Sequence, residues 1–250
     1  MLGVANGPLR DAIAAAALNR IRHFGGERLA NIAWAFATLA VAFEPLRDAI
    51  AAAAISTITA FSVQNLSNTV WSFATIDYLH QPLRTSISEA VLPSIHICNV
   101  QGLANIAWAF ARLVVANPPL FDAISASSIP SIRQFQPQNL TNIAWAWSTL
   151  EVADRPLLAA IAAQSRARIS AFGVQNISNT AWAFARLRVN HQGPLLESIS
   201  AAAIRTISAF DAQALANTAW SCARCCCGDQ PLLASIAGPP RPAAPHFAEQ

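Results

Sequence analysis

Residues 31–36 read NIAWAF, and residues 105–110 read the same. Near-copies stand at 68–73 (NTVWSF), 142–147 (NIAWAW), 179–184 (NTAWAF) and 217–222 (NTAWSC). The Trp recurs at 34, 71, 108, 145, 182 and 220, in steps of 37, 37, 37, 37 and 38. A Pro-Leu pair keeps the same frame at 8, 45, 82, 119, 156, 194 and 231. A third marker keeps it again: Phe24, Phe61, Cys98, Phe135, Phe172 and Phe210. Three markers in one frame establish an internal repeat. The one extra residue falls in LRVNHQGPL, between Trp182 and Pro194.

Each repeat reads as two helices. The first carries the Trp and opens at cap-type residues, Ser62, Asn99 and Asp211, with Gly25 and Gly173 in other copies. The second opens at Pro-Leu, where proline at the first helical turn sacrifices no hydrogen bond. Leu46, Ile50 and Ile58 set its apolar face, and Ile holds the Ile50 position in all seven copies. Pro93 and Pro130 fall inside this helix and predict kinks or early breaks. Paired helices repeating every 37 residues predict an all-α fold, an α-solenoid of armadillo-like superhelical type, because no hairpin can cover its own apolar faces. Residues 1–24 form a partial repeat with the second helix alone. Residues 25–210 hold five full hairpins, residues 211–238 a degenerate sixth, and residues 239–250 read as a disordered tail.

Composition bounds the function. The chain of 250 residues is 54% apolar and only 12% charged, so it can bury a large core. Its net charge is +3, and with no Lys every basic residue is Arg. That balance alone does not argue for nucleic acid, although Arg suits forked phosphate contacts and stacking. The mean hydropathy is +0.37. The most apolar window, residues 29–43, is shorter than the ~20 residues of a membrane span, so the reading is buried helices and no membrane partner. The N-terminus shows no targeting peptide and begins inside a repeat, as an N-terminally truncated fragment would. Of five Cys, four crowd into CARCCC (Cys222, Cys225, Cys226, Cys227), which suggests a reducing compartment. One C-x-x-C without a second pair is a weak zinc signal, and no metal site is expected.

A helical wheel at ~100° per residue locates the Asn that precedes each Trp. In the second copy Leu66, Thr69, Phe73 and Ile76 share one side, and Ser67, Trp71, Ala74 and Tyr78 another, with Val70 between. These apolar or small residues span roughly 220°, which predicts that the six Trp are core. The remaining arc holds Asn65, Asn68, Ser72 and Thr75. In other copies it holds Asn139, Asn142 and Thr149, or Asn176, Asn179 and Arg186, or Gly102, Asn105 and Arg112. Stacked hairpins would align Asn31, Asn68, Asn105, Asn142, Asn179 and Asn217 as an amide ladder. One turn on stand Thr38, Thr75, Arg112, Thr149, Arg186 and Arg224. Two readings compete. The amides hold neighbouring repeats in register, since each both donates and accepts. Alternatively the stripe contacts an extended ligand, with the Asn constant and its Thr or Arg neighbour selecting, as in modular binders of single-stranded RNA.

The unit F-x-x-Q-N-L-x-N-x-A-W-A-F-A, followed by P-L-x-x-A-I, resembles the organellar helical-hairpin repeats of 37–38 residues. These are the heptatricopeptide and octotricopeptide repeats of RAP-domain and FAST-kinase-like proteins. It is also similar to the repeats of a subunit of the mitochondrial RNA-editing substrate-binding complex. The resemblance covers residues 8–236. It implies binding of single-stranded RNA in mitochondria or chloroplasts and other plastids, with roles in RNA processing, editing or stability and with protein subunits of an RNA-processing complex as partners. It implies that the Asn-bearing first helices face the RNA. No RAP-like C-terminal domain is visible, so nuclease or processing activities do not carry over.

No catalytic site is expected. His23, His80, His96, His191 and His246 share no repeat position, and no acidic pair recurs. HFGGER lacks the Lys-Ser/Thr of a phosphate loop, and no nucleophile elbow occurs. A non-enzyme without cofactor or small-molecule substrate is expected. The rival function is an armadillo-like scaffold whose amides grip an extended peptide, which the mild net charge favours.

Overall fold

The computed structural model describes residues 7–39, 43–188, 193–225 and 230–238. The expected tail at 239–250 lies outside them, as do Cys226, Cys227, His191 and His246. Among the described residues there are only helices, 3-10 turns and connecting loops. The Trp-bearing first helices are α2 (Gly26–Thr38), α4 (Val63–Thr75), α6 (Val100–Arg112), α8 (Pro137–Thr149), α10 (Val174–Leu187) and α12 (Ala212–Arg224). The Pro-Leu second helices are α1 (Gly7–Arg20), α3 (Glu44–Ser56), α5 (Gln81–Val91), α7 (Pro118–Ser131), α9 (Arg155–Ala167), α11 (Gly193–Thr206) and α13 (Gln230–Ala237). No described helix is long and apolar enough to cross a membrane.

The first helices start where cap residues meet their orphan donors. Ser62 Oγ accepts from the Asn65 N–H at 3.2 Å, Asn99 Oδ1 from Gly102 at 2.8 Å, and Asp211 Oδ1 from Ala214 at 2.7 Å. Each such cap contributes about 1 kcal/mol. They stop in a common way. The residue six after the Trp turns left-handed: Asp77 (φ 51°), Val114 (53°), Glu151 (58°) and Arg188 (49°). Around Asp77 the Tyr78 N–H reaches Phe73 O at 3.0 Å and the Asp77 N–H reaches Ala74 O at 3.1 Å, the paired bonds of a Schellman stop. The second helices run into a 3-10 turn. Pro93 lengthens that turn to Leu92–Ile97 and ends α5 at Val91, as expected. Pro130 holds the same repeat position yet does not shorten its helix: it lies within the last turn of α7, which runs on to Ser131.

The chain divides into two compact units between Phe135 and Gln136, at a repeat boundary. In the first, α2, α4 and α6 lie side by side, as do α1, α3 and α5. In the second, α8, α10 and α12 form one row, and α9, α11 and α13 the other. Each unit is thus a stack of helical hairpins. The residue two after the Trp fills its centre: Phe36, Phe73 and Phe110 in the first unit, Trp147 and Phe184 in the second. Leu66, Leu103, Leu140 and Ile177 join them, with the Pro-Leu leucines Leu46, Leu83, Leu120, Leu157 and Leu195. Each such side chain contributes about 1.5–3 kcal/mol on burial.

Two local departures have physical causes. In the sixth repeat Cys222 stands where the others place Phe or Trp. A cavity of about 330 Å³ opens there, lined by Ala181, Ile199, Thr218, Cys222 and Leu232. At the end of the second repeat Cys98 replaces the marker Phe, and its Sγ lies 2.6 Å from where a Cβ on Gly102 would sit, so Gly is needed at that point. Burial pushes the Cys98 thiol up to about 11.

Candidate nucleic-acid interface

The open side of α4 carries Gln64, Asn68, Trp71 and Thr75, at spacings of 4, 3 and 4. That is one turn after another along a single helical face. The same face of α6 carries Gln101, Asn105, Trp108 and Arg112, and that of α2 carries Glu27, Asn31, Trp34 and Thr38. In the second unit the stripes are Gln138, Asn142, Trp145 and Thr149 on α8, then Gln175, Asn179, Trp182 and Arg186 on α10. On α12 the stripe is Gln213, Asn217, Trp220 and Arg224. Every Gln or Glu in these stripes is exposed, every Asn is exposed or half-buried, and the same holds for every Trp.

The six tryptophans are therefore not core, contrary to the wheel. Trp34 is 50% exposed and Trp220 40%. The wheel assigned the Trp to an apolar arc that in fact ends beside it, and the true open stripe is turned toward the Trp and away from Ser72. Ser72 is buried, its hydroxyl donating to Asn68 O at 2.6 Å. Trp147, which lies outside the six, is the buried tryptophan, at 1%. Indoles pair between neighbouring repeats: Trp71 with Trp108 (centroids 6.3 Å apart, planes at 34°) and Trp182 with Trp220 (6.2 Å, 34°). Guanidinium groups lie near the same rings, Arg112 at 5.8 Å from Trp108, Arg186 at 5.3 Å from Trp182 and Arg224 at 5.3 Å from Trp220.

Four of the six ladder amides line open polar clefts. In the first unit a cleft of about 200 Å³ brings together Asn31, Asn68 and Asn105 with Trp34, Gln64 and Gln101, drawn from three consecutive first helices. In the second, a cleft of about 300 Å³ is lined by Gln175, Ser178, Asn179, Asp211 and Gln213. One rung is closed by a direct amide bond, Asn217 Nδ2 donating to Asn179 Oδ1 at 3.3 Å. At that rung the bond holds the two repeats in register, and Asn179 also lines the cleft.

Other expected site residues have local duties. Asn65 Oδ1 accepts from the Ser62 N–H (3.1 Å), Asn139 Oδ1 from Gln136 (3.2 Å) and Asn176 Oδ1 from Gly173 (3.2 Å). These three amides are the return half of the helix cap and stand off the stripe. The hydroxyls of Thr38 and Thr75 donate to Trp34 O and Trp71 O, each at 2.8 Å. The Thr149 hydroxyl is shielded from solvent without a hydrogen-bond partner.

Arg112 and Arg186 form a clamp between repeats. Arg112 donates from Nε to Ala74 O (3.2 Å) and from a terminal nitrogen to Asp77 Oδ2 (2.7 Å). Arg186 does the same to Ser148 O (3.0 Å) and Glu151 Oε1 (3.1 Å). A cation thus sits on the C-terminal carbonyls of the preceding first helix, where the helix dipole favours it. At three joints the Thr or Arg follows the neighbour: the acids Asp77 and Glu151 are met by Arg112 and Arg186 in the next repeat, and Val114 by Thr149.

Sequence reasoning missed three things: the Gln that heads five of the six stripes, the Trp within each, and the acids that take up two of the arginines. Fixed spacing of Gln64, Gln101, Gln138, Gln175 and Gln213 was the signal for the first. No curated protein matches the chain. A family model does, the RNA-editing substrate-binding complex 6 protein, over residues 1–115 and 104–230. Those spans cover nearly every repeat described above, and the chain belongs to the RNA-editing substrate-binding complex 6 protein family.

Proposed function

We propose that this protein binds single-stranded RNA along its first-helix stripes and serves, without catalysis, as a subunit of an RNA-editing substrate-binding complex. The observation that carries the reading is the stripe itself. Amide and indole groups recur in fixed order on the open side of adjacent helices, with a guanidinium one turn on in α6, α10 and α12. Bases offer hydrogen-bonding edges and flat faces, and this set answers both. The contacts assigned to RNA are Asn31, Asn68, Asn105, Asn142, Asn179 and Asn217, the heading Gln residues, the six Trp and Arg224. The family name supports an RNA-editing role with protein subunits as partners, and its complex points to the mitochondrion over the plastid.

The test is filter binding of the whole chain to a pool of single-stranded RNA at 50 and 200 mM salt. Contacts to three or four phosphates give a slope near −2 to −3 and a loss of roughly 15- to 60-fold. One observation favours an armadillo-type peptide scaffold instead: carboxylates of the protein itself already engage Arg112 and Arg186. That reading predicts a nearly flat salt dependence and no measurable RNA affinity.

A further inference from the structure

The joint between the fifth and sixth repeats breaks the clamp pattern. At the equivalent of Asp77 and Glu151 it carries Arg188, and at the equivalent of Arg112 and Arg186 it carries Arg224. The left-handed turn is kept: Arg188 has φ 49°, beside 51° at Asp77 and 58° at Glu151. Its side chain therefore leaves from the same place that sends a carboxylate to the next repeat elsewhere. Arg112 and Arg186 stand 35 residues after their acids, and Arg224 stands 36 after Arg188, the extra residue of the longer step lying between. Both arginines are exposed, and among the described residues neither has an acidic partner. Arg224 rests against the Trp220 ring at 5.3 Å, and Trp220 pairs with Trp182.

We propose that Arg188 and Arg224 bind a phosphodiester of single-stranded RNA, with the base beside it stacking on the exposed face of Trp220. Two guanidinium groups at a position built for an ion pair repel until an anion enters. A phosphate oxygen pair accepts from both forks at once. The 40% exposure of Trp220 leaves ring area for a base to cover. The ligand assignment rests on the RNA reading above.

The decisive variant is Arg188→Glu, which rebuilds the clamp seen at Glu151 and Arg186. Arg166→Glu makes the same charge change on an exposed position of the second helix α9 and serves as control. In the intact chain, Arg188→Glu should raise the melting temperature by about 1–3 °C. It should weaken RNA binding about tenfold and lower the salt slope by about 1–2, while Arg166→Glu stays within about twofold of wild type. Equal RNA affinity of wild type and Arg188→Glu, or an equal loss in the control, would overturn the site and leave the RNA reading standing. A third arm separates the two claims. Millimolar tripolyphosphate should raise the melting temperature of wild type and not of Arg188→Glu. If it does so in a chain that binds no RNA, the phosphate site stands and the RNA reading falls. If it shifts neither protein, the site is overturned.

Discussion

Arg112→Ala should destabilise the first unit, whereas Arg224→Ala should leave the second unit's stability nearly unchanged. Arg112 makes two charge-assisted bonds across the joint, to Ala74 O at 3.2 Å and to Asp77 at 2.7 Å. The two side chains are 37% and 67% exposed, so solvent screens the ion pair to about 0.2–1 kcal/mol. The carbonyl it caps lies in the buried last turn of α4, and losing that bond costs about another 1 kcal/mol. Removing the guanidinium also frees the Trp108 face, worth about 0.5 kcal/mol at an exposed site. The sum is about 2 kcal/mol for Arg112→Ala, against about 0.5 for Asp77→Ala. Urea denaturation of both single variants and the double variant gives a coupling of about 0.5 kcal/mol. A coupling indistinguishable from zero would refute the clamp. So would a loss at Arg224→Ala as large as that at Arg112→Ala.

Phe36→Ala should cost about 3–5 kcal/mol and Trp34→Ala no more than about 1–2, read from denaturation midpoints, because the phenyl is 7% exposed and the indole 50%; equal losses would return the tryptophans to the core. Cys222→Phe should raise stability by about 0.5–2 kcal/mol by filling the cavity it lines, and a lowered melting temperature would mean that the space is not there. Cys98 should alkylate at least about 100-fold more slowly than a free thiol at pH 8, since only the thiolate reacts. Its rate should keep climbing past pH 9 toward about 11, the value burial imposes, and a plateau near 9 in peptide-mapped mass spectrometry would contradict that burial.

Periodicity made the architecture legible. Trp, Pro-Leu and Phe markers in one frame place every described first and second helix, and Ser62, Asn99 and Asp211 cap as their residue types suggest. The site was legible in part. Asn68 and its equivalents do lie on the open face, yet the wheel set that face about 50° too far round. It omitted Gln64, about 20° from Trp71, and treated an indole as core because it is apolar. Trp is large and seldom fully enclosed, and one turn from a recurring Gln it reads better as surface. Arg112 and Arg186 misled for a different reason. Their partners, Asp77 and Glu151, belong to the preceding repeat, and no pattern within one helix reveals a bond across 35 residues.

Ultraviolet crosslinking of single-stranded RNA to the intact chain, followed by peptide mapping, addresses the stripe most directly. Crosslinks should fall on peptides of α4, α6, α8, α10 and α12, at or beside Trp71, Trp108, Trp145, Trp182 and Trp220. Crosslinks confined to the Pro-Leu helices, with the Trp-bearing peptides unmodified, would contradict the assignment of the first helices as the RNA-facing side.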